Sequence, residues 1–574
     1  MPSPSLLQRL KERKLVQWAV AYLAGAWVLV EATSLVVSQF HGPEIVGQVV
    51  TMLGVFGFFV VLVIAWYHGE KGRQWVSGPE LLIIALLLLI SGGVLSMLHR
   101  ADSPSGVPVS IGRTDEGPAL IILTCDNISP RPEDAYLADG LHEAILHKLA
   151  GVPGIFVQGR ETAKWYRENP TPPGQIAVEH NLDFIGECSV RKDPFADRIL
   201  VTFQLLNAEG NHEWSDEYEG DFATDGLFEI QREIAHQVAS RIGGELTPAE
   251  EAQLASRPTQ SLEAYDLYLR GRDLWWTRGP EALEQAIELF EAAIAEDRGF
   301  ALAYAGLAET YAVLPEHSNR SSAEILPLAR AAADRALSLA PDLAEAHTAS
   351  AYIHAVFEWD WDAAEREYLK AIELNPDYAT AHQWYAEMLA MNGRWEEAFA
   401  EINAALTLDP RSPPANNVSG LMLIVTGKPE EGIREMQRSV AINPDSPGAI
   451  WGLGFTYLQM GDQAEAASWF DKGASLSGRD PEVFRAVLAA LSDSTKIPRA
   501  VRLVREEHDF WPSAKAMYMA YLGQAEEAIS ALEQAIEERS AIPLLFWPSV
   551  SPAYDEIRSH PQFQALLRRM NLVE

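Results

Sequence analysis

At 574 residues the chain is too long for one hydrophobic core, so several domains or an array of repeats is expected. Its 80 acidic residues against 45 basic ones give a formal net charge of −35, which argues against nucleic acid or an anionic lipid surface as partner of the bulk of the chain. Two cysteines in this length exclude a disulfide-rich scaffold and a cysteine-built zinc site.

The first hundred residues form a membrane region. Residues 15–37, 45–67 and 79–98 are three apolar stretches, each long enough to span hydrocarbon. Arg9, Lys11, Arg13 and Lys14 precede the first span, and Lys71 and Arg73 lie between the second and third. The loop "SQFHGPE" between the first two carries no Lys or Arg. The positive-inside rule therefore puts the N-terminus in the cytoplasm and everything after Leu98 outside it, with only Arg100 opposing. Glu31 falls within the first span, where a charge is costly. A place near the outer boundary, or a bond to a neighbouring helix, explains it better than an ion path. The text from Leu7 to Gln74, "LKERKLVQWAVAYLAGAWVLVEA … LVIAWYHGEKGRQ", resembles the N-terminal membrane region of bacterial proteins that join such spans to periplasmic-type and repeat modules. Residues 101–117, rich in Ser, Pro and Gly, are a linker.

Residues 118–250 change to an α/β pattern. "ALIILTC" is a buried strand, "EDAYLADGLHEAILHKLAGV" a helix, and "GIFVQGR" a second strand. "LDFIGECSVRK" and "RILVTFQLLNA" pair as a hairpin, and "LFEIQREIAHQVASRIGGEL" is a closing amphipathic helix. The strand–helix–strand order predicts a mostly parallel sheet with helices packed on it. The segments "DNIS", "LADGLHEAILHKLA", "GECSVRK" and "WSDEYEGDF…LFEIQREIA" resemble the TolB N-terminal domain and the related FlgO-like domain. That resemblance implies a non-catalytic binding domain of envelope proteins. The sequence departs from the family pattern at Cys125, where an aromatic residue is usual, and at Cys188, where glycine is usual. If the family's sheet makes their strands neighbours, the two thiols could join as a disulfide in an oxidising compartment. The alternative is two small buried residues.

Residues 261–540 carry a repeat. Pro341, Pro376, Pro410 and Pro444 are spaced 35, 34 and 34 apart, each closing a segment with small residues at fixed offsets. In the unit ending at Pro410, Ala386 sits where two helices cross, Gly393 turns the chain, and Ala398 and Ala405 let the second helix approach. The pattern resembles the tetratricopeptide repeat (TPR) family, with about eight units, and implies a helical-hairpin superhelix. Residues 541–574 are a terminal cap. The fold class is thus multidomain: a three-helix membrane region, an α/β TolB-like domain and an all-α TPR superhelical solenoid.

No text for catalysis stands out. "HEAILH" places His142 and His147 five residues apart, not the four a zinc-protease helix needs, and an amphipathic helix with solvent-facing histidines explains it. Gly452 and Gly454 follow no strand, so they are no dinucleotide loop, and Gly454 serves as a small crossing residue. Glu358, Asp360 and Asp362 in "FEWDWDAAE" suit a repeat turn better than a metal. No cofactor is implied. In TPR proteins the first helix of each unit lines the concave face. Carried over position by position, the resemblance selects Gln383, Glu387 and Met391, then Asn417, Leu421, Ile424 and Val425, then Trp451, Phe455 and Leu458. This mostly apolar strip suits a peptide or amphipathic helix in a groove, the competing reading being that these side chains pack on adjacent repeats. The expectation is a multi-pass inner-membrane scaffold for protein–protein contacts in the bacterial periplasm, in contact with the bilayer through three spans and with no nucleic acid. Its rivals are a non-catalytic regulatory component acting through a partner, and an enzyme with an unrecognised site.

Overall fold

The protein is described by a computed structural model over residues 117–573, apart from 132–133, 194, 197, 222–225, 319, 478, 508–511 and 540–546. The three candidate spans, Glu31 and the linker up to residue 116 lie outside the described residues. Among those described, no helix is long and apolar enough to cross a membrane.

Strand β1 (Ala119–Ile122) has no polar side chain and is buried on both faces, as a central strand between two layers of helices should be. Leu120 and Ile122 join a core with α1 (Ala135–Ala150) and α4 (Gly226–Ile242). Ala119 and Ile121 join a second core with α2 (Arg160–Glu168) and α3 (Pro173–His180). The remaining strands are β2 (Asp126–Asn127), β3 (Phe156–Val157), β4 (Phe184–Lys192), β5 (Arg198–Asn207) and β6 (His212–Asp221). Their order is β3-β1-β4-β5-β6, with β2 also on β4.

The expectation of a mostly parallel sheet needs correction: the sheet is mixed. β1 runs parallel to β3 and β4, but β4, β5 and β6 form an antiparallel meander. Short turns between consecutive strands permit only antiparallel pairing, whereas the parallel pairs are bridged by helices. β6 escapes an apolar-pattern search because only Trp214 and Tyr218 of its residues pack on the core, while Glu213, Glu217 and Asp221 face water.

Helix α5 (Pro248–Ala255), opened by a Thr247–Glu250 capping box, leads into eight helical hairpins. They are α6 (Leu262–Thr277) with α7 (Pro280–Glu296), α8 (Ala301–His317) with α9 (Ser322–Leu339), and α10 (Ala344–Tyr352) with α11 (Trp361–Leu374). Next come α12 (Ala379–Met391) with α13 (Trp395–Leu408), and α14 (Pro413–Val425) with α15 (Pro429–Ile442). The last are α16 (Pro447–Gln459) with α17 (Gln463–Ser477), α18 (Glu482–Ser492) with α19 (Ile497–Glu506), and α20 (Pro512–Tyr521) with α21 (Ala525–Glu537). Helix α22 (Pro561–Arg569) ends the chain.

Ala386 is fully buried at its crossing, and a Cβ on Gly454 would lie 2.6 Å from the Phe470 ring, so this crossing requires glycine. Gly393 turns its hairpin at a φ of +72°, a region that disfavours other residues. The α10–α11 hairpin has no such glycine. Its first helix ends in a π-turn (Ile353–Glu358), Trp359 takes φ +54°, and Asp360 caps α11 by accepting the Ala363 N–H at 3.1 Å.

A polar contact repeats with the period. His347 bonds the Pro341 carbonyl at 2.8 Å, His382 that of Pro376 at 2.9 Å, and the Asn416 amide donates to that of Pro410 at 3.0 Å. Each ties a first helix to the end of the preceding unit. The α/β lobe packs directly on the solenoid: a Cβ on Gly140 of α1 would sit 2.3 Å from Leu269 Cδ1 of α6.

Candidate functional site

The ten strip residues lie on α12, α14 and α16, the first helices of three consecutive hairpins, but most are covered. Gln383, Met391, Leu421, Ile424, Phe455 and Leu458 are buried. Phe455 packs on Phe470 and Tyr518 with ring centroids 4.9 and 5.7 Å apart. Ile424 lies against the backbone of Gly432, so close that a Cβ there would be 2.5 Å away. Glu387, Asn417, Val425 and Trp451 keep partial exposure. Trp451 nonetheless rests on Phe484 at 4.9 Å, and the Asn417 Oδ1 is buried without a hydrogen bond.

The strip's one ionisable side chain, Glu387, sits near its start. Burial, then the nearby Glu316 carboxylate, pushes Glu387 up to about 8, so it holds its proton near neutral pH; Gln383 Nε2 donates to it at 3.0 Å. Tyr352 donates to Glu316 at 2.6 Å.

The C-terminal segment returns to this region. Trp547, fully buried, donates its indole N–H to the Met391 carbonyl at 3.0 Å, and Ser549 Oγ donates to the same oxygen at 3.0 Å. Arg539 donates to the Phe357 carbonyl, and Asn571 Nδ2 to that of Trp359 at 3.1 Å. Trp361 Nε1 donates to the Met570 carbonyl at 3.0 Å. The donors of Arg539, Trp547, Ser549 and Asn571 thus satisfy carbonyls left free where first helices end, while Trp361 satisfies one at the end of α22. Residues 547–573 are accordingly a clasp onto the middle of the solenoid and not only an end cap.

A second junction lies at the opposite ends of the hairpins. The Gly159 N–H and the Gln158 side-chain amide both donate to the Leu408 carbonyl at 2.6 Å. Asp409 accepts from the Glu161 and Thr162 N–H groups at 3.0 and 2.9 Å and from Thr162 Oγ1 at 2.7 Å. Helix α2 has no capping side chain of its own, so Asp409 caps it across the junction. Burial, then Glu161, pushes the Asp409 carboxyl up to about 6. Arg411 pairs with Glu179 at 2.7 Å and stacks over Trp165, Arg160 pairs with Asp273 at 2.8 Å, and buried Arg272 pairs with Glu309 at 2.6 Å.

The reading of "HEAILH" as solvent-facing needs correction. His142 is 1% exposed, its ring bonded to the Ile122 carbonyl at 2.8 Å, and burial lowers it to about 4. His147 is half-exposed, 3.3 Å from Glu345 of α10. Five residues on a helix separate two side chains by roughly 140°, so one meets the sheet and the other the solenoid. The structure places Cys125 and Cys188 as a disulfide with a Cα–Cα distance of 4.6 Å, next to the parallel β2–β4 pairing. Among the described residues no group of His, Cys, Asp and Glu is placed to hold a metal ion.

Asp409 and Trp547 were not singled out in the sequence. A signal existed for the first: the residue before the unit-closing proline is Asn375 or Asn443 in neighbouring units, where it caps its own turn, but an aspartate at 409.

A protein of Rhizobium meliloti (strain 1021) named putative adenylate cyclase 3 is 30% identical over 191 residues, 33% of this chain and 32% of that protein. The chain therefore spans about a third of the length of this curated relative. Among solved structures, YrrB, described as a TPR protein with an unusual peptide-binding site, is 21% identical, with 33% of this chain and 91% of that one covered and a TM-score of 0.23. Pseudomonas aeruginosa pilF is 17% identical, with 48% and 99% covered and a TM-score of 0.28. The Cut9–Hcn1 assembly is 14% identical, with 61% and 64% covered and a TM-score of 0.38. The tetratricopeptide-repeat family model matches residues 360–413, which run from the N-cap of α11 to the first residue of α14. Residues 360–413 thus match the tetratricopeptide repeat, and the 34-residue period and stacked hairpins continue on either side of that match.

Proposed function

We propose that the chain is a membrane-anchored, non-catalytic scaffold that holds a peptide segment of a partner protein on its solenoid, with its α/β lobe a TolB N-terminal/FlgO-like domain. The observation that carries this is the ordered run of first helices α12, α14 and α16, on which Glu387, Asn417, Val425 and Trp451 remain open among otherwise packed neighbours. A protonated carboxyl beside an apolar edge offers a partner backbone a hydrogen-bond donor. A photo-crosslinking residue at position 425 in native membranes should give a discrete protein adduct, and the same residue at the exposed outer position 369 should not. No adduct at 425, or the same products at both positions, would sink the reading.

The soluble part is assigned to the periplasm. The charge asymmetry around the three candidate spans and the Cys125–Cys188 disulfide support this, since such bonds persist in oxidising compartments. Reporters fused after Leu98 and after Glu574 should be active only as extracytoplasmic enzymes. Activity of the cytoplasmic reporter at both sites overturns it. The relative named putative adenylate cyclase favours a second reading, a regulatory component of a signalling assembly. It predicts that deletion of the chain changes cellular cyclic AMP, which a pure envelope scaffold would leave unchanged.

A further inference from the structure

The sheet of the α/β lobe has one long open edge. β6 ends the strand order, whereas the edge strand on the far side, β3, has only two residues. The pairing of β4 fixes which groups of β6 point outward. The Val190 carbonyl accepts from the Ile128 N–H at 2.8 Å, so Val190 faces away from β5 and its neighbour Ser189 faces toward it. Ser189 pairs with Thr202, and Thr202 in turn with Glu217. Antiparallel ladders alternate, so Glu217 turns its N–H and C=O out of the sheet, as do Ser215 and Glu219 two positions to either side. In agreement, the Glu217 N–H donates to its neighbour Asp216 Oδ1 at 2.9 Å and not to β5. Among the described residues no other segment bonds the outward backbone groups of Ser215, Glu217 and Glu219, and all three residues are exposed.

The strand itself is firmly held. Trp214 and Tyr218 pack on the core, and the Arg241 guanidinium of α4 lies 4.7 Å from the centre of the Trp214 ring. A Cβ on Gly220 would sit 3.1 Å from Ile230 of α4. Helix α4 thus covers one face of β6 and leaves its edge open. A fixed row of unpaired backbone groups is a template for another strand, and proteins commonly blunt it with Pro, Lys or a bulge. The stretch from Ser215 to Glu219 has no Pro and no Lys, and the bulge in this pairing lies beyond it, toward His212.

Charge decides what can pair there. β6 carries Glu213, Asp216, Glu217, Glu219 and Asp221 and no Lys or Arg. Glu219 pairs with Arg198 at 2.8 Å, and Glu213 accepts from the Asn207 amide at 2.9 Å. Among the described residues no cation lies within ion-pair distance of Asp216 or Glu217. A second copy adding antiparallel would set acid against acid. Centred on Glu217 or Asp216, that residue meets itself, and centred on Tyr218, Glu217 meets Glu219. Like charges directly opposite are destabilising, so the edge repels its own kind. A strand of alternating basic and apolar residues meets no such penalty. Its bases would face Glu217 and Glu219, and its apolar side chains would fall on the other face, beside the partly exposed Trp214 and Tyr218.

We propose that β6 is a docking edge for an extended basic segment of another protein, which joins the sheet as a further strand along Ser215, Glu217 and Glu219. The backbone groups supply the bonding, and the carboxylates select the partner.

The test is fluorescence anisotropy of the full chain in detergent with the labelled, end-blocked peptide TKVKVKVT and its acidic counterpart TEVEVEVT. The basic peptide should bind about tenfold or more tightly than the acidic one, and should slow hydrogen exchange over residues 212–221. Charge alone would draw a basic peptide to a chain of net charge −35, so two controls isolate strand addition. The same peptide N-methylated on its lysines keeps its charge and loses the donors. Ser215→Pro removes one outward N–H and spares the ladder to β5, a place where edge strands tolerate proline. Each change should weaken binding about tenfold, a loss of the size set by two or so backbone bonds. Should Ser215→Pro fold poorly, the N-methylated peptide on the wild-type chain decides alone. Equal affinity for the two charges, unchanged affinity after N-methylation or in folded Ser215→Pro, or no protection of residues 212–221 overturns the proposal. Wild-type self-association that Ser215→Pro abolishes would give the edge to a second copy and overturn it as well.

Discussion

The solenoid is gripped at both edges, and the two grips use opposite chemistry. Where first helices end, at Phe357, Trp359 and Met391, carbonyls project, and the C-terminal segment meets them with donors: indole, hydroxyl, guanidinium and amide. Where first helices begin, N–H groups project. There the lobe brings its own helix start, which Asp409 caps. The repeat geometry alone produces this asymmetry. Parallel first helices place all their positive ends along one edge and all their negative ends along the other. A donor-rich segment therefore closes one edge, while the other calls for acceptors.

The largest effect should come from the closed edge. Trp547→Ala deletes a fully buried indole and its hydrogen bond, and should cost about 3–5 kcal/mol. Hydrogen exchange should localise the loss to α20–α22 and to the Met391 carbonyl's neighbours. A loss below about 1 kcal/mol, or one spread evenly over the chain, would mean the clasp is incidental.

At the lobe junction, Gly159→Ala places a Cβ 2.6 Å from Asp409, an overpacking that should cost about 1–3 kcal/mol. Denaturant unfolding should show the lobe's transition separating from the solenoid's. If the two remain together with an unchanged midpoint, the contact carries little.

The pH response sharpens the same junction. The Asp409 carboxyl is raised from 3.8 to about 6 in the folded protein. The folded state therefore binds this proton more tightly than the unfolded one, and the added stability is full below about 3.8 and lost as pH rises through about 6. The limit is roughly 3 kcal/mol from the size of the shift. Since Glu387 is also raised, the diagnostic is a difference: the wild-type profile minus that of Asp409→Asn should slope between pH 4 and 6 and be flat above 7. A flat difference throughout would sink the assignment.

The smallest effect belongs to the repeating tie between units. His347→Ala removes bonds to Pro341 and Glu367 and should cost about 1 kcal/mol. Burial opposes the charged ring, but Glu367 and the Pro341 carbonyl raise its pKa overall. Its charge-linked stability is therefore complete below 6.5 and fades as pH rises through the raised value. The mutational loss should be larger at pH 5.5 than at pH 8.5 in thermal melts.

Much of the fold was legible because repeats are local. Pro376, Gly393 and Ala386 recur at fixed offsets since each hairpin touches mainly its immediate neighbours, so one period writes the same constraints again and again. Strands β1, β4 and β5 announced themselves by apolar runs and alternation. β6 did not, because its outer residues are acidic. That the strip residues lie on first helices was legible, but the closeness of their packing was not. An apolar residue on a first helix looks the same in sequence whether it waits for a partner or already rests on the next repeat, as Phe455 does on Phe470.

By itself, then, the sequence determined the hairpins, their turns, the order of the lobe's main elements and the pairing potential of its two cysteines. Only the tertiary structure decided which edge is closed. Contacts such as Gln158 with Leu408 or Trp547 with Met391 join residues about 250 and 156 positions apart. No local propensity encodes such pairs. They follow from the superhelix bringing distant helix ends onto common edges, where unsatisfied backbone groups select what can dock.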